Sequence, residues 1–381
     1  MKILHINASY KPAYIYGGPT MSVSMLCEQL AITGAAITVF TTTANGTDEL
    51  PVVINQPVNL DGVTVIYFTR ITKDHSHFSP SLLIKLWKEV ENYDLVHVHA
   101  WWNLVSILSC LVALTRKIPV VLSPRGTLSA YSFANSNQKI KGSFHKFLGR
   151  RLLNKCYFHV TSEQEKKALL NIIQPKGMAI IPNLVKLPVN AGYQKEKQFA
   201  PDFKLLFFSR IDEKKGLDIL LNALPMVSVP YCLTIAGSGD EAYIKYLKKL
   251  AADNHIDKHI NWAGFRTENK FDLFNAHDLF ILPSHDENFG NTIIESLSTG
   301  TAVLIGQNVG LANYTVKNNL GWLCETNPES VSTAINNIAV NYKNDLERIK
   351  KQAPAIIYKD FAPNNLVQQY LTLYNQIINY D

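Results

Sequence analysis

The stretch LFILPSHDENFGNTIIE (279–295) shows in one short run a pattern that repeats along most of the chain. Its first segment, LFILPS (279–284), is largely apolar, as in a strand that is buried on both faces of a parallel sheet. A polar turn with a glycine follows, and the chain continues into IIESLSTG (293–300), where apolar residues recur at helical spacing. Strand, loop and helix in this order are typical of an α/β protein, in which such a loop lies at the carboxyl edge of the sheet.

Similar strand-like runs alternate with helical segments throughout the chain. In the first half the predicted strands are ILHIN (3–7), AITVFTT (36–42), VTVIYF (63–68), LVHVHA (95–100), VVLSP (120–124), YFHVTS (157–162) and MAIIPN (178–183). In the second half they are KLLFFS (204–209), YCLTIAG (231–237), HINWAG (259–264), LFILPS (279–284) and AVLIG (302–306). The predicted helices between the earlier strands include 22–31, 81–92 and 140–153.

A polar stretch at 190–202 interrupts this alternation. The pattern therefore predicts an α/β fold with two Rossmann-like, doubly wound domains, 1–190 and 191–363, and one more amphipathic helix at the C-terminus. Ligands bind beyond the carboxyl ends of the strands in open parallel sheets. We therefore expect the two domains to face each other across a ligand-binding cleft.

Composition excludes several classes of protein. A chain of 381 residues with 47% hydrophobic and 18% charged residues is typical of a globular protein with more than one domain. The N-terminal apolar run is too short for a signal peptide, and the apolar helix predicted at 104–115 is too short to span a bilayer. Five cysteines without CxxC spacing indicate reduced core residues in a cytoplasmic protein.

The net charge of +6 is unevenly distributed. The segment 95–162 contains no Asp or Glu, and its basic residues are Arg116, Lys117, Arg125, Lys139, Lys141, Lys146, Arg150, Arg151 and Lys155. Such a segment attracts phosphates, nucleic acid or an anionic membrane surface. Nucleic acid is not favoured as a partner, because the second half has no basic–aromatic groove pattern of its own.

The predicted helix 140–153 has apolar residues at helical spacing with cations between them. One interpretation is a basic amphipathic surface that contacts the inner face of an anionic membrane, where a lipid-linked, pyrophosphate-bearing acceptor would be found. The alternative is an ordinary helix whose apolar side lies in the core. Before this helix, Arg125 and Ser129 follow a strand and are expected to face the cleft.

Several loops after strands have the composition of anion-binding sites. Gly17-Gly18-Pro19 opens the first helix, but the GxGxxG spacing of a nicotinamide-binding site is absent there. Arg210 and Lys215 precede the helix opened by Gly216, so a guanidinium, an ammonium and free N–H groups converge. Asp212 and Glu213 lie between these cations and can neutralise them. Two further Gly-rich turns, at 235–241 and 263–269, allow the backbone to approach a phosphate or a flat ring.

The order of these loops resembles that of a known family. SRIDEKKG (209–216), IAGSGDE (235–241), AGFR (263–266) and PSHDENFGNTIIESLSTGTAVL (283–304) are similar in order and content to the large retaining family, family four, of GT-B glycosyltransferases. The resemblance extends over essentially the whole chain and includes VHVHA (96–100) and IPN (181–183). It implies that the domain 1–190 receives the acceptor and is completed by the C-terminal helix 364–381, and that the domain 191–363 binds the nucleotide sugar.

The resemblance implies roles for individual residues. Glu287 would face the donor sugar, and Glu295 would hold the ribose hydroxyls of the nucleotide. Arg210 and Lys215 would clamp the diphosphate, and Gly18 would contact it from the first domain. His99 would be the active-site histidine, whereas His97 is expected to point to the opposite face and to be structural. The remaining residues predicted to bind the donor are Gly237, Phe265, Phe289, Gly290, Asn291 and Thr292.

The resemblance also implies a reaction. A retaining transferase would move a hexose, with glucose favoured, from a UDP-sugar to a glycan or lipid-linked acceptor in polysaccharide or cell-envelope biosynthesis. No two aspartates stand two positions apart, so the DxD motif of metal-dependent transferases is absent, and we expect a metal-independent enzyme without a cofactor. A front-face reaction, in which the departing phosphate helps to deprotonate the acceptor, is the preferred mechanism.

Two other functions and one departure from the family are considered. A UDP-sugar epimerase of the same fold is disfavoured, because no additional acid/base pair is evident. A nucleotide-sugar-binding protein without catalysis is disfavoured, because Glu287, Arg210, Lys215 and His99 are all present. The departure is at 306–323, where family members often carry Gly-Gly-x-x-Glu and this chain has Ala312 and Asn313.

Overall fold

The computed structural model describes residues 1–129, 131, 149–188, 202–266 and 269–380. The chain forms two compact units: Met1–Leu184 together with Pro363–Asp381, and Val185–Ala362. The sequence prediction places the division at 190/191 and assigns the C-terminal helix to the first unit. Of the predicted helix 140–153, residues 140–148 lie outside the described residues.

The first unit is built on an eight-stranded sheet with the order β10-β9-β8-β7-β1-β2-β6-β5. Its strand pairs are parallel except for β5 with β6. The strands of the sheet are β1 (Lys2–Ile6), β2 (Ala36–Thr42), β5 (Pro57–Leu60), β6 (Val63–Phe68), β7 (Leu95–His99), β8 (Val120–Ser123), β9 (Tyr157–Val160) and β10 (Gly177–Ile180), and a separate ribbon pairs β3 (Ala44–Asn45) with β4 (Asp48–Glu49).

Helices cover both faces of this sheet. They are α1 (Gly18–Ile32), α2 (Pro80–Glu89), α3 (Leu104–Thr115), α4 (Arg150–Leu153), α5 (Glu163–Leu170) and α13 (Pro363–Tyr380). On one face, Ile3 of β1 packs with residues of α1 and α13. On the other face, Leu4 and Ile6 pack with residues of α2 and α3. Successive side chains of a strand point to opposite faces, and the buried strands therefore support two apolar layers.

The second unit contains a six-stranded, all-parallel sheet with the order β13-β12-β11-β14-β15-β16. Its strands are β11 (Phe203–Phe208), β12 (Tyr231–Ala236), β13 (Ile260–Gly264), β14 (Leu279–Leu282), β15 (Ala302–Gly306) and β16 (Gly321–Cys324). Its helices are α6 (Leu217–Ala223), α7 (Glu241–Asp253), α8 (Lys270–Asn275), α9 (Asn291–Ser298), α10 (Ala312–Lys317), α11 (Pro328–Asn341) and α12 (Lys343–Asp360).

Every strand predicted from the sequence overlaps a strand of the structure, and the predicted α/β class with two doubly wound parallel sheets is confirmed. The sequence prediction omitted β3, β4, β5 and β16. All five cysteines are free, and all except the half-buried Cys232 are buried, as expected for core residues. Among the helices that the structure describes, none combines the length and the apolar character needed to cross a bilayer.

Candidate active site

The loops that follow β11 and β14 lie side by side, because these two strands are neighbours in the middle of the second sheet. Gly216 in the first loop has φ +70°, and a Cβ at this position would lie 2.3 Å from the carbonyl oxygen of Pro283 in the second. The N–H of His285 also donates to the Lys214 carbonyl at 3.0 Å. The backbone therefore holds the two loops together, and only glycine fits at position 216.

Two ion pairs connect these loops. Lys215 Nζ bonds a carboxylate oxygen of Glu287, and Lys214 Nζ lies 2.7 Å from Asp286 Oδ2. Burial alone would raise the pKa of Glu287, but Lys215, Lys214 and the backbone N–H of Phe289 together hold that pKa below its ordinary value. Glu287 is thus a carboxylate at neutral pH, in direct contact with Lys215.

The backbone of Glu287 is fixed by the loop after β15. Its N–H donates to the Asn308 carbonyl at 3.3 Å, and its own carbonyl accepts from the Gly310 N–H at 2.8 Å. This loop leads directly into α10, the region where the sequence departs from the family pattern. The loop residues 307–313 include no acid, so they support Glu287 through the backbone and add no second carboxylate.

Arg210 follows β11, and its side chain forms its hydrogen bonds with Asp212 and not with Glu287. Its Nη2 and Nε lie 2.6 and 2.7 Å from the same oxygen of Asp212, and its side chain is 59% exposed. Asp212 therefore neutralises Arg210, as the sequence indicated it could. The Arg210 guanidinium can bind a diphosphate only if it also keeps its bonds to Asp212 or gives them up.

Glu295 lies in α9 and is almost completely buried. Its Oε1 is 2.8 Å from Lys270 Nζ. Burial raises the pKa of Glu295, and Lys270 offsets part of this effect. The sequence prediction missed Lys270. Its position was a usable signal, since Lys270 is the first residue of α8, and a cation at a helix N-terminus is unfavourable unless it has a specific partner.

Two predicted donor-binding residues lie at the same carboxyl edge. Gly237 follows β12 with φ +151°, and a Cβ there would lie 1.9 Å from the Ser209 carbonyl oxygen, so the loops after β11 and β12 are in backbone contact. Phe265 follows β13, and its side chain is 62% exposed. An exposed aromatic ring at a sheet edge provides a stacking surface for a flat ring.

The residues at the start of α9 differ in what they present. Phe289 is buried in the core with its ring centroid 6.2 Å from that of Phe361, so its side chain is a packing group. Gly290 caps the helix in the left-handed conformation, and the partly buried Asn291 and Thr292 form its first turn. Any contact of Phe289 or Gly290 with a donor must therefore be made by the backbone.

In the first unit, His99 lies at the end of β7 and is completely buried. The prediction that His97 points to the opposite face is wrong. The two rings lie on the same face with centroids 4.2 Å apart, because residues two apart in a strand share a face. His97 bonds the Tyr374 hydroxyl of α13 at 2.7 Å and Ser123 Oγ at 2.6 Å, which supports the structural role given to it.

Both ring nitrogens of His99 are engaged. Arg125 Nε donates to His99 Nδ1 at 3.3 Å, and His99 Nε2 lies 3.0 Å from His5 Nδ1. Because a guanidinium has no acceptor, His99 must carry its proton on Nε2 and donate it to His5 Nδ1. His5 then carries its own proton on Nε2, which is buried and has no hydrogen-bond partner among the residues that the structure describes. A sugar hydroxyl can bond His99 only if one of these bonds opens.

Nitrogens of His5, His97 and His99 lie within 4.8 Å of one another, a spacing that a metal ion could use. However, the Arg125 guanidinium donates directly to one of these rings. Burial, followed by the charge of Arg125, lowers the pKa of His5 from 6.5 to about 3. The same cation would repel a divalent ion, so this cluster is better described as a network of neutral imidazoles.

Gly18 is the first residue of α1 and is exposed, so its backbone is open to a ligand in the first unit. It follows Gly17, which caps the helix at φ 66°. The partly buried Ser129 lies in the turn after β8. The basic surface predicted at 140–153 falls mainly on residues outside those described.

Two family models match the chain. The model described as Glycosyltransferase Family 4 matches residues 16–187, and the model described as Glycosyl transferases group 1 matches residues 193–355. An uncharacterized glycosyltransferase of Methanocaldococcus jannaschii is 24% identical, with 98% of each chain covered.

Solved structures share the fold over the full length. Sucrose-phosphate synthase from Thermosynechococcus elongatus has a TM-score of 0.78 at 19% identity, with 100% of both chains covered. Anabaena HepE in complex with UDP-glucose has a TM-score of 0.75 at 20% identity, with 99% of this chain and 100% of that one covered. These likenesses confirm the predicted GT-B architecture of two Rossmann-like domains.

Proposed function

The chain belongs to the group 1 glycosyltransferases, and from this premise we propose that it transfers a hexose from a UDP-sugar with retention of anomeric configuration. Glucose is the favoured sugar, a choice supported by the UDP-glucose complex of HepE. The proposed acceptor is a glycan or a lipid-linked saccharide in polysaccharide or cell-envelope biosynthesis. The proposed location is the cytoplasm, at the inner face of the membrane when the acceptor is lipid-linked.

The observation that carries this proposal is the contact between Lys215 and Glu287 at the carboxyl edge of the second sheet. Breaking the bond from the anomeric carbon to the diphosphate leaves negative charge on the diphosphate. An ammonium has three donors, so Lys215 can keep its bond to Glu287 and still donate to phosphate oxygens. Donors aimed at developing charge are usually the largest catalytic contribution. Lys215 would supply the positive charge that a metal ion supplies in metal-dependent transferases. Arg210 would add to it once its guanidinium is shared between Asp212 and the diphosphate.

The nucleotide would be held by Glu295 and Phe265. A carboxylate accepts two hydrogen bonds from a vicinal diol such as that of ribose, at about 1.5–3 kcal/mol for each bond to a charged group. Lys270 Nζ lies 2.8 Å from Glu295 Oε1 and provides the counter-charge of this buried carboxylate. The exposed ring of Phe265 is available to stack on the base.

A front-face mechanism accounts for retention with these residues. Glu287 is ionised, so it cannot protonate the leaving group, and its pairing with Lys215 weakens it as a nucleophile. In the proposed reaction the acceptor oxygen attacks from the side that the diphosphate leaves, and a phosphate oxygen takes the acceptor proton. A trapped glycosyl adduct on any side chain would contradict this mechanism.

The test is nucleotide binding followed by turnover. We expect UDP, but not GDP or ADP, to stabilise the full chain in EDTA, by about 2.7 kcal/mol at a hundred times the dissociation constant. UDP-glucose should then be consumed by wild type and by Lys214→Gln, and far more slowly by Lys215→Gln. Stabilisation by GDP alone would redirect the donor to a GDP-sugar. Absence of any shift would contradict the nucleotide site itself.

A further inference from the structure

Arg125 lies in the first unit, and the proposed reaction gives this residue no role. It follows β8 at the carboxyl edge of the sheet, with φ 51° in the left-handed region that β-carbon-bearing residues avoid. The turn is held in place by Glu165, whose carboxylate accepts from the N–H groups of Gly126 and Thr161 at 3.3 and 2.8 Å. Strained backbone of this kind is kept where a side chain must be aimed at a functional site.

The guanidinium of Arg125 has only neutral partners among the described residues. Nη1 donates to Ser22 Oγ at 2.8 Å and to Asn183 Oδ1 at 3.2 Å, and Nε donates to His99 Nδ1 at 3.3 Å. No carboxylate in the described part of the chain forms an ion pair with it, and Nη2 has no hydrogen-bond partner there. Burial lowers the pKa of Arg125, and the nearby Tyr370 and Glu165 offset part of this effect.

The surroundings of this cation also favour an anion. Ser22 belongs to α1, so the guanidinium lies against the helix that opens at the exposed Gly18 with its N–H groups and positive dipole end. The segment 95–162 contributes no acidic residue. His5, at the far end of the bonded series Arg125–His99–His5, has a buried Nε2 without a hydrogen-bond partner among the described residues, so one buried donor of this series is available to an acceptor atom.

We propose that Arg125 binds a phosphate or carboxylate group of the acceptor and thereby places that acceptor beside His99. This inference rests on the proposed function and assigns the acceptor to the first unit. A planar guanidinium whose Nη2 has no partner in the described part of the chain matches the two oxygens of such a group better than it matches a neutral sugar. The acceptor class is therefore anionic: a sugar phosphate, a lipid-linked phosphate or a hydroxy acid.

The test uses the full chain with UDP at saturation, so that the donor diphosphate site is filled, and inorganic phosphate as the probe against matched concentrations of chloride. Arg125→Gln should weaken phosphate binding about tenfold or more, the loss expected for a charge-assisted hydrogen bond. Arg116→Gln is the matched control, because Arg116 lies in the same acid-free segment but pairs with Glu91 at 2.8 Å. It should leave phosphate binding unchanged, and Arg125→Lys should give an intermediate loss.

UDP affinity, measured on the same samples, reports that each variant is folded and should stay within twofold of wild type. Equal phosphate affinity in wild type and Arg125→Gln would overturn the proposal. So would a loss of UDP affinity in folded Arg125→Gln, which would assign Arg125 to the donor diphosphate.

Vesicles of phosphatidic acid distinguish the two sources of the anionic group. Loss of vesicle binding in Arg125→Gln would support a lipid-linked source, and unchanged vesicle binding with weakened phosphate binding would support a soluble one. Wild type that binds phosphate but no UDP would contradict the proposed function and leave the anion site standing.

Discussion

Lys215 and Glu287, which are 72 positions apart in the sequence, form an ion pair between the loops that follow two neighbouring strands. One residue earlier in each loop, Lys214 and Asp286 form a second pair at 2.7 Å. The consecutive cations of one loop thus meet the consecutive carboxylates of the other. The two pairs have similar charge and position, but only the first contains residues predicted to take part in catalysis.

This duplication gives a matched comparison. We expect Glu287→Gln and Lys215→Gln to lower turnover of UDP-glucose by about a hundredfold or more, the usual loss when a charge-stabilising group at the reacting centre is removed. Asp286→Asn and Lys214→Gln each break an ion pair of similar exposure and should lower turnover by less than about fivefold. Steady-state kinetics on the four variants decides the matter. Similar losses in both pairs would show that the pairs act only by holding the loops together.

A second prediction concerns the buried carboxylate of Glu295. If Glu295 holds the ribose diol, Glu295→Gln should weaken UDP binding by about 1.5–3 kcal/mol, a factor of roughly ten to a hundred. The effect should be clearly smaller with 2′-deoxy-UDP, which lacks one of the two hydroxyls and keeps the other. Calorimetric titration of both nucleotides with wild type and variant gives the coupling directly. An equal loss for UDP and its deoxy analogue would show that Glu295 acts on Lys270 and not on ribose.

Much of this site was predictable because its parts lie in local patterns. Continuous apolar runs fixed the position of β11 and β14, and the residues after a parallel strand must lie at the carboxyl edge. The turn at Gly216 was visible for the same reason. The short edge strands β5 and β16 were missed, since β5 alternates in exposure and begins with a proline, and β16 has only four residues.

Contacts between distant side chains were not predictable from local patterns. Nothing near Lys270 in sequence names Glu295 as its partner, and nothing near Arg125 indicates that it donates to His99. The contact between Arg125 and His99 depends on strand order, which places β7, the strand of His99, next to both β1 and β8. The error on His97 was different, because the period of two along a strand places it on the same face as His99.

A third prediction follows from the buried histidines of the first unit. Burial lowers the pKa of His5 and of His159 from 6.5 to about 3. Below pH 6.5 the unfolded chain therefore binds protons that the folded chain does not, and stability falls as the pH falls toward 3. Each such histidine adds about 1.36 kcal/mol per pH unit to the slope of unfolding free energy against pH.

Urea unfolding at several pH values between 7 and 4 measures this slope. His5→Asn should reduce it by about one proton, and an unchanged slope in His5→Asn would contradict the assignment.

The last prediction concerns the close approach, at Gly216, of the loops that follow β11 and β14. Gly216→Ala places a Cβ 2.3 Å from the Pro283 carbonyl oxygen at φ +70°, so both loops must move apart.

Gly34→Ala is the matched control, because Gly34 also has a positive φ, +88°, but a Cβ there meets nothing within 4 Å. The control should lose only the backbone cost of about 1–2 kcal/mol in unfolding free energy. Gly216→Ala should lose more than about 3 kcal/mol, and UDP affinity should fall with it, because Lys215 is carried on the displaced loop. Denaturant unfolding and UDP titration of both variants measure the two effects. Equal losses of stability with unchanged UDP affinity would show that the loops tolerate separation and that their contact does not position Lys215.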